Sequence, residues 1–123
     1  MVSGVGMKIA ELRPYSKKVD LTIKVIEKNE PREVTSKLDS SSHSVTEALV
    51  GDESGTALLT LWDNVIEQVE VGKVYKISNA YTSLFKNSLR INIGRYGKIE
   101  ESKETIEEIN QENNISEKEL AVK

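Results

Sequence analysis

Residues 51–72, GDESG-TALLTLW-DNVIEQVEV-G, decide the fold. The first five are turn formers, two acids and a serine between glycines. Thr56–Trp62 then alternates: Ala57, Leu59 and Leu61 take one parity, while Leu58, Thr60 and Trp62 take the other, which is the period of a strand. At Asp63 the period changes. Asp63 or Asn64 can cap a helix of about two turns, with Val65, Ile66 and Val69 on one side and Gly72 as its stop.

Working outward, Val45–Val50 is a strand that the GDESG turn joins to Thr56–Trp62 as a hairpin. Lys18–Glu27 is the clearest strand of all, with Val19, Leu21, Ile23 and Val25 on its inner face. Between these two, Asn29–Ser44 contains Pro31 and the run DSSSHS (Asp39–Ser44), which predicts a long, mobile loop. After the helix, Val74–Tyr81 is a strand, Thr82–Ser88 a loop, and Leu89–Ile93 a strand with Arg90 and Asn92 outward. An extended piece continues toward Ile99. Five short strands with a small helix between the third and fourth is the order of an all-β, five-stranded OB-fold barrel.

The chain has 123 residues, enough for one domain with a tail. The expected division is a flexible extension or cloning scar at 1–7, the OB-fold at 8–99, and an acidic tail at 100–123. That tail is expected to be disordered or to form a short helix capped by Ser116-x-x-Glu119. The tail carries eight Glu against three Lys, whereas Val71–Ile99 holds six Lys and Arg and no acid. Such a run predicts a basic surface suited to phosphates. There is no cysteine, hence no disulfide, thiolate nucleophile or zinc ribbon, and no cofactor or metal is expected. The lone histidine, His43, reads as a solvated loop residue. A Ser41–His43–Asp52 triad exists only on paper, and no enzyme activity is expected. No apolar stretch suits a membrane span or a signal segment, which predicts an intracellular protein of the cytoplasm, associated with the nucleoid.

A binder of single strands needs ring faces for bases and cations for phosphates. Only six residues are aromatic. Trp62 falls on the outward parity of its strand. Phe85, in a polar loop, is a ligand contact or a plug in the barrel mouth, and contact is preferred. Strict alternation turns Tyr81 inward with Ile77, so an outward Tyr81 requires a bulge near Asn79. Arg90, with Lys86 and Arg95 nearby, supplies cations.

The segments IAELRP (9–14), EALVGDESGTALLTLW (47–62) and VGKVYKISNAYTSLFK (71–86) resemble the short archaeal single-stranded-DNA-binding proteins with one OB-fold and an acidic tail. These are similar to the human single-strand-binding proteins of the SOSS complex. The resemblance covers nearly all of Lys8–Ile99. It implies base stacking on Trp62, Tyr81 and Phe85, and a first-loop cation at Arg32. It also implies a monomer that binds single-stranded DNA in replication, recombination or repair. The tail is implied to bind other replication or repair proteins. In this chain the family's glycine-rich spacer is missing, and the sequence runs directly into EESKETIEE. The alternatives are an OB-fold adaptor subunit that binds protein, or a binder of single-stranded RNA.

Overall fold

A computed structural model describes residues 8–35, 37–38, 40–85, 88–94 and 97–116. After a single 3-10 turn at Ile9–Glu11 come β1 (Val19–Lys28), β2 (Arg32–Thr35), β3 (Ser42–Asp52), β4 (Gly55–Trp62) and α1 (Asn64–Gln68). They are followed by β5 (Val74–Phe85), β6 (Ser88–Asn92) and β7 (Lys98–Glu101). The fold is the expected all-β OB-fold. Its ladders β1–β3, β3–β4, β4–β6, β6–β5 and β5–β1 run in a closed circuit. The β4–β6 ladder is parallel, and the others in the circuit are antiparallel.

The alternating residues fill the interior as the pattern predicts. Val19, Leu21, Ile23 and Val25 of β1, Ala57, Leu59 and Leu61 of β4, and Leu89 and Ile91 of β6 are all buried. The core is aliphatic. Of the five described aromatic rings only Tyr75 is inside, its hydroxyl donating to the Gln68 carbonyl and accepting from the Glu70 amide. The helix shields one opening of the circuit through Ile66. Lys28 Nζ donates to the carbonyls of Ile66, within the helix, and Val69, its C-cap, each at 2.9 Å.

Two expected loops are corrected, one by β2, which stands outside the circuit, and one by the length of β5. The stretch 29–44 is not a plain loop, because β2 pairs with Ser42–Val45 and turns half of DSSSHS into a ladder. Polar serines are compatible with a two-stranded ribbon exposed on both faces, and the pattern alone does not reveal a ladder partner. Likewise, Thr82–Phe85 continues β5 and pairs with Ser88–Ile91. Thr82 reads as a loop residue but is buried. Its hydroxyl donates to Arg13 O (2.6 Å) and accepts from Ser16 N (2.8 Å), fastening the lead-in segment to the sheet.

The acidic segment also departs from expectation. Its start is β7, paired with β5. Lys73 meets Glu101 at 3.6 Å, and Lys76 faces Glu100 in the ladder. One cation of the acid-free run, Lys73, is therefore countered by a folded-back glutamate, and Lys76 has another opposite it across the ladder. Further on, residues 109–116 strap across the β3–β4 hairpin. Asn113 O accepts from Thr56 N, and Ile115 N donates to Thr56 O, both at 2.9 Å. Ile115 is buried in the core. The Ser116 hydroxyl accepts from Leu58 N and donates to Leu89 O, bridging β4 and β6. This segment has too few apolar residues for a core of its own, and it borrows the domain's. Gly55 permits the approach, since a Cβ there would stand 2.6 Å from Asn113 O. Asp52, buried at the hairpin tip, accepts from the amides of Ile9, Ser54 and Gly55.

Candidate nucleic-acid interface

Residues opposite one another across a ladder share a sheet face, so the register lays out the outward side chains in rows. Glu47, Thr60, Asn92 and Tyr81 form one row across β3, β4, β6 and β5. Leu49, Leu58, Arg90 and Ser83 form the next. Trp62 lies beyond the first row, opposite Val45, and Phe85 lies beyond the second, opposite Ser88. The middle is made of short polar side chains, with Asn92 Nδ2 donating to Ser83 Oγ at 2.9 Å. Rings surround a shallow floor, and Trp62, Tyr81 and Phe85 are 45%, 43% and 52% exposed.

Each ring is aimed by a local cause. Trp62 follows from plain alternation in β4. Phe85 is not in a loop but ends β5, where it projects outward two residues after Ser83. Tyr81 turns outward because β5 carries one extra residue. Val19 pairs with Ala80 and Leu21 with Ile77, so three steps on β5 oppose two on β1. Asn79 takes the left-handed conformation (φ 53°), which asparagine tolerates, and its amide donates to Asp20 Oδ1 at 2.9 Å. The bulge that an outward Tyr81 requires is present. Gly94, at φ +74°, lies against the Tyr81 ring, where a Cβ would be 2.7 Å from Cε1.

A groove of about 260 Å³ runs between Trp62 and Phe85, lined by Arg32, Glu47 and Arg90 among others. The Arg90 guanidinium stands 5.2 Å from the Phe85 ring centroid, and its Nε donates to Ser88 Oγ. Arg32 lies on β2 instead of in a loop and grips Glu47 with two bonds, 3.1 and 2.9 Å. The same Glu47 lies 3.5 Å from Arg90 Nη1. Hydrogen bonds from Arg32, then the charges of Arg32 and Arg90, hold the Glu47 carboxyl below its usual range against the opposing effect of burial. Sequence reasoning missed this acid, although its outward parity opposite Thr60 was available as a signal. Tyr81 does not line this groove. It faces a neighbouring cavity that shares Ser83 with it. Lys86 and Arg95 fall outside the described residues.

His43 is not merely solvated. Its Nε2 meets Ser41 Oγ at 2.9 Å and its Nδ1 meets Asp63 Oδ2 at 3.0 Å. The paper triad thus has the wrong acid, since Asp52 is bound at the hairpin tip. Asp63 precedes α1 but makes no side-chain cap bond. Its carboxylate instead accepts from Ser44 N and meets His43, which together hold it below the usual carboxylate range. Neither Ser41 nor His43 lines a described cavity. What the chain of bonds does do is set the His43 ring edge-on to Trp62, with centroids 6.5 Å apart. Among the described residues no cluster of three or more His, Cys, Asp or Glu could hold a metal ion, and no helix is long and apolar enough to cross a membrane.

Rings kept out of an aliphatic core and ranged with arginines over one sheet face define a class, an OB-fold protein with an open binding face. The chain belongs to the Ssb-like OB-fold family of single-stranded DNA-binding proteins, whose family model matches residues 12–101. The single-stranded DNA binding protein Ssb of Saccharolobus solfataricus is 37% identical over 97 residues, covering 79% of this chain and 64% of that protein. The match therefore spans less than two thirds of that relative's length. Among solved structures, a hypothetical Arabidopsis thaliana protein superimposes with TM-score 0.81 at 26% identity, covering 99% of this chain and 90% of that one. The second OB-fold domain of replication protein A from Methanococcus maripaludis has TM-score 0.66 at 21% identity, covering 84% of this chain and all of that domain, and bears on the fold alone.

Proposed function

We propose that the protein binds single-stranded DNA without strong sequence preference and performs no reaction on it. The observation that carries this reading is the placement of Trp62, Tyr81 and Phe85, all outward and exposed, in a domain whose core is aliphatic. An exposed ring costs hydration free energy unless something covers it, and a base face fits without regard to sequence. Stacking on these three rings contributes about 1–3 kcal/mol each, and paired bases in duplex have no free faces to offer. Phosphates are taken by Arg90 and Arg32, with Lys86 and Arg95 as further cations. The name of the Saccharolobus relative points the same way.

In this reading the protein acts as a monomer on exposed strands during replication, recombination or repair. Any contact with other repair proteins falls to the exposed Glu104, Glu107 and Glu108, because the strap that follows is occupied by packing.

The test is a titration of Trp62 fluorescence with oligo-dT at two salt concentrations, alongside a matched duplex and a matched RNA strand. Quenching by the single DNA strand, with log affinity falling against log salt at a slope of about −0.7 per phosphate neutralised, is expected. Silence with every nucleic acid overturns the reading and leaves a protein-binding adaptor. Preference for the RNA strand replaces DNA with RNA.

A further inference from the structure

Beside the Trp62–Phe85 groove lies a second cavity of about 430 Å³, within the usual range for ligand pockets. Tyr81 and Gly94 form one side of it, and Tyr15, Lys17 and Lys18 come from the lead-in segment. Ser83 lines both cavities, so they adjoin over the sheet face. Among the described residues, no acid lines the second one.

Tyr15 is 67% exposed and adopts φ 62°, a conformation that bulky side chains rarely take. The turn that imposes it is fixed: Thr82 N donates to Ser16 O at 3.0 Å, and the Thr82 hydroxyl bonds to Arg13 O and Ser16 N. Lys17 and Lys18 are exposed and form no ion pair among the described residues. In the groove, by contrast, both described arginines are countered by Glu47.

We infer that this cavity is a second nucleotide subsite, which continues the path of one DNA strand past Tyr81. A base enters between Tyr15 and Tyr81, and the flanking phosphates meet Lys17 and Lys18. Charge and the adjacency of the two cavities at Ser83 favour this occupant. A strand leaving the groove beside Ser83 reaches a wall of two rings and two uncountered cations, suited to an anionic chain of flat bases. The inference rests on the proposed binding of single strands and extends it by a fourth ring and a second cationic cluster.

Length separates the two ideas. An oligo-dT of about 4 nucleotides fills the groove alone, whereas one of about 12 reaches both cavities, within the span of about 4–16 per OB-fold. Full-length wild type, Tyr15→Ser, Tyr15→Phe and the double variant Lys17→Ala/Lys18→Ala are compared by fluorescence anisotropy. Tyr15→Ser is expected to weaken the longer strand at least fivefold and to leave the shorter one unchanged, while Tyr15→Phe retains wild-type affinity. The lysine pair should flatten the salt slope for the longer strand only. Equal affinities for wild type and Tyr15→Ser at both lengths, or equal losses at both, overturn the subsite while leaving the groove in place. Failure of wild type to bind either strand overturns both.

Discussion

The two ends of β4 are built alike and finished differently. At Gly55–Leu58, the strap closes over the sheet: the Thr56 amide and carbonyl, Leu58 N and Leu89 O all find partners within residues 113–116, and Ile115 completes the core. At Thr60–Trp62, a few residues on, none of the described residues closes over the sheet. The outward side chains are a threonine and the exposed tryptophan, with an arginine-held glutamate alongside. One end of a single strand is devoted to stability and the other to an open surface. The difference lies in what the rest of the chain lays across it.

Removing residues 102–123 is the strongest way to break that contrast. The loss of buried Ile115, together with orphaned β4 and β6 backbone groups, should destabilise the fold by about 3 kcal/mol or more, read as a lower urea midpoint. An unchanged midpoint would make the strap an ornament and the two ends equivalent. Next comes Trp62→Ala, which should weaken single-strand binding by about 1–3 kcal/mol and move the urea midpoint by an amount equivalent to less than about 0.5 kcal/mol. If it unfolds the protein, the open end is core after all.

A smaller effect tests the chemistry of the open end. Glu47→Gln frees Arg32 and Arg90 and should tighten oligo-dT binding by about threefold to tenfold, on the order of 1 kcal/mol. The salt slope should steepen with it. The smallest effect is the pH dependence of the wild type. Because the Glu47 carboxyl is held below its ordinary 4.5, the stability it contributes is intact above that pH and is lost as pH falls through the lowered value. Over the same window oligo-dT binding should strengthen, since protonation removes the one negative charge among the described residues that line the groove. Weakening there, in protein still folded by circular dichroism, would mean Glu47 orients the arginines for DNA instead of competing with it.

How much of this was legible beforehand depends on which residues carry a period. Val19, Leu21, Ile23, Val25, Leu59 and Leu61 announce themselves, because burial on one face of a strand imposes alternation. Trp62 and Arg90 follow from the same parity. Tyr81 does not, since a single left-handed residue at Asn79 reverses the parity, and only the family resemblance pointed outward. The Ser42–Ser44 ladder and the strap were hidden for a common reason. Both are held largely by backbone hydrogen bonds and small polar side chains, and the strap adds only the single buried Ile115, too little to make a hydropathy pattern. The Arg32–Glu47–Arg90 cluster joins three strands, so no local window contains it. Tyr15 sat in a segment too short to have a period.

The extra residue in β5 also divides that strand into two halves that can vary separately. Before Asn79, the odd-numbered Tyr75 and Ile77 are buried. After it, the even-numbered Ala80 and Thr82 are inside, and Tyr81, Ser83 and Phe85 face outward. An uninterrupted strand would tie every outward residue to an inward set of one unbroken phase. Here the break insulates the two. Substitutions that retune the open face can accumulate at 81, 83 and 85 while the packing against β1 at 75 and 77 stays as it is, so one strand can hold a constant fold and a changeable surface.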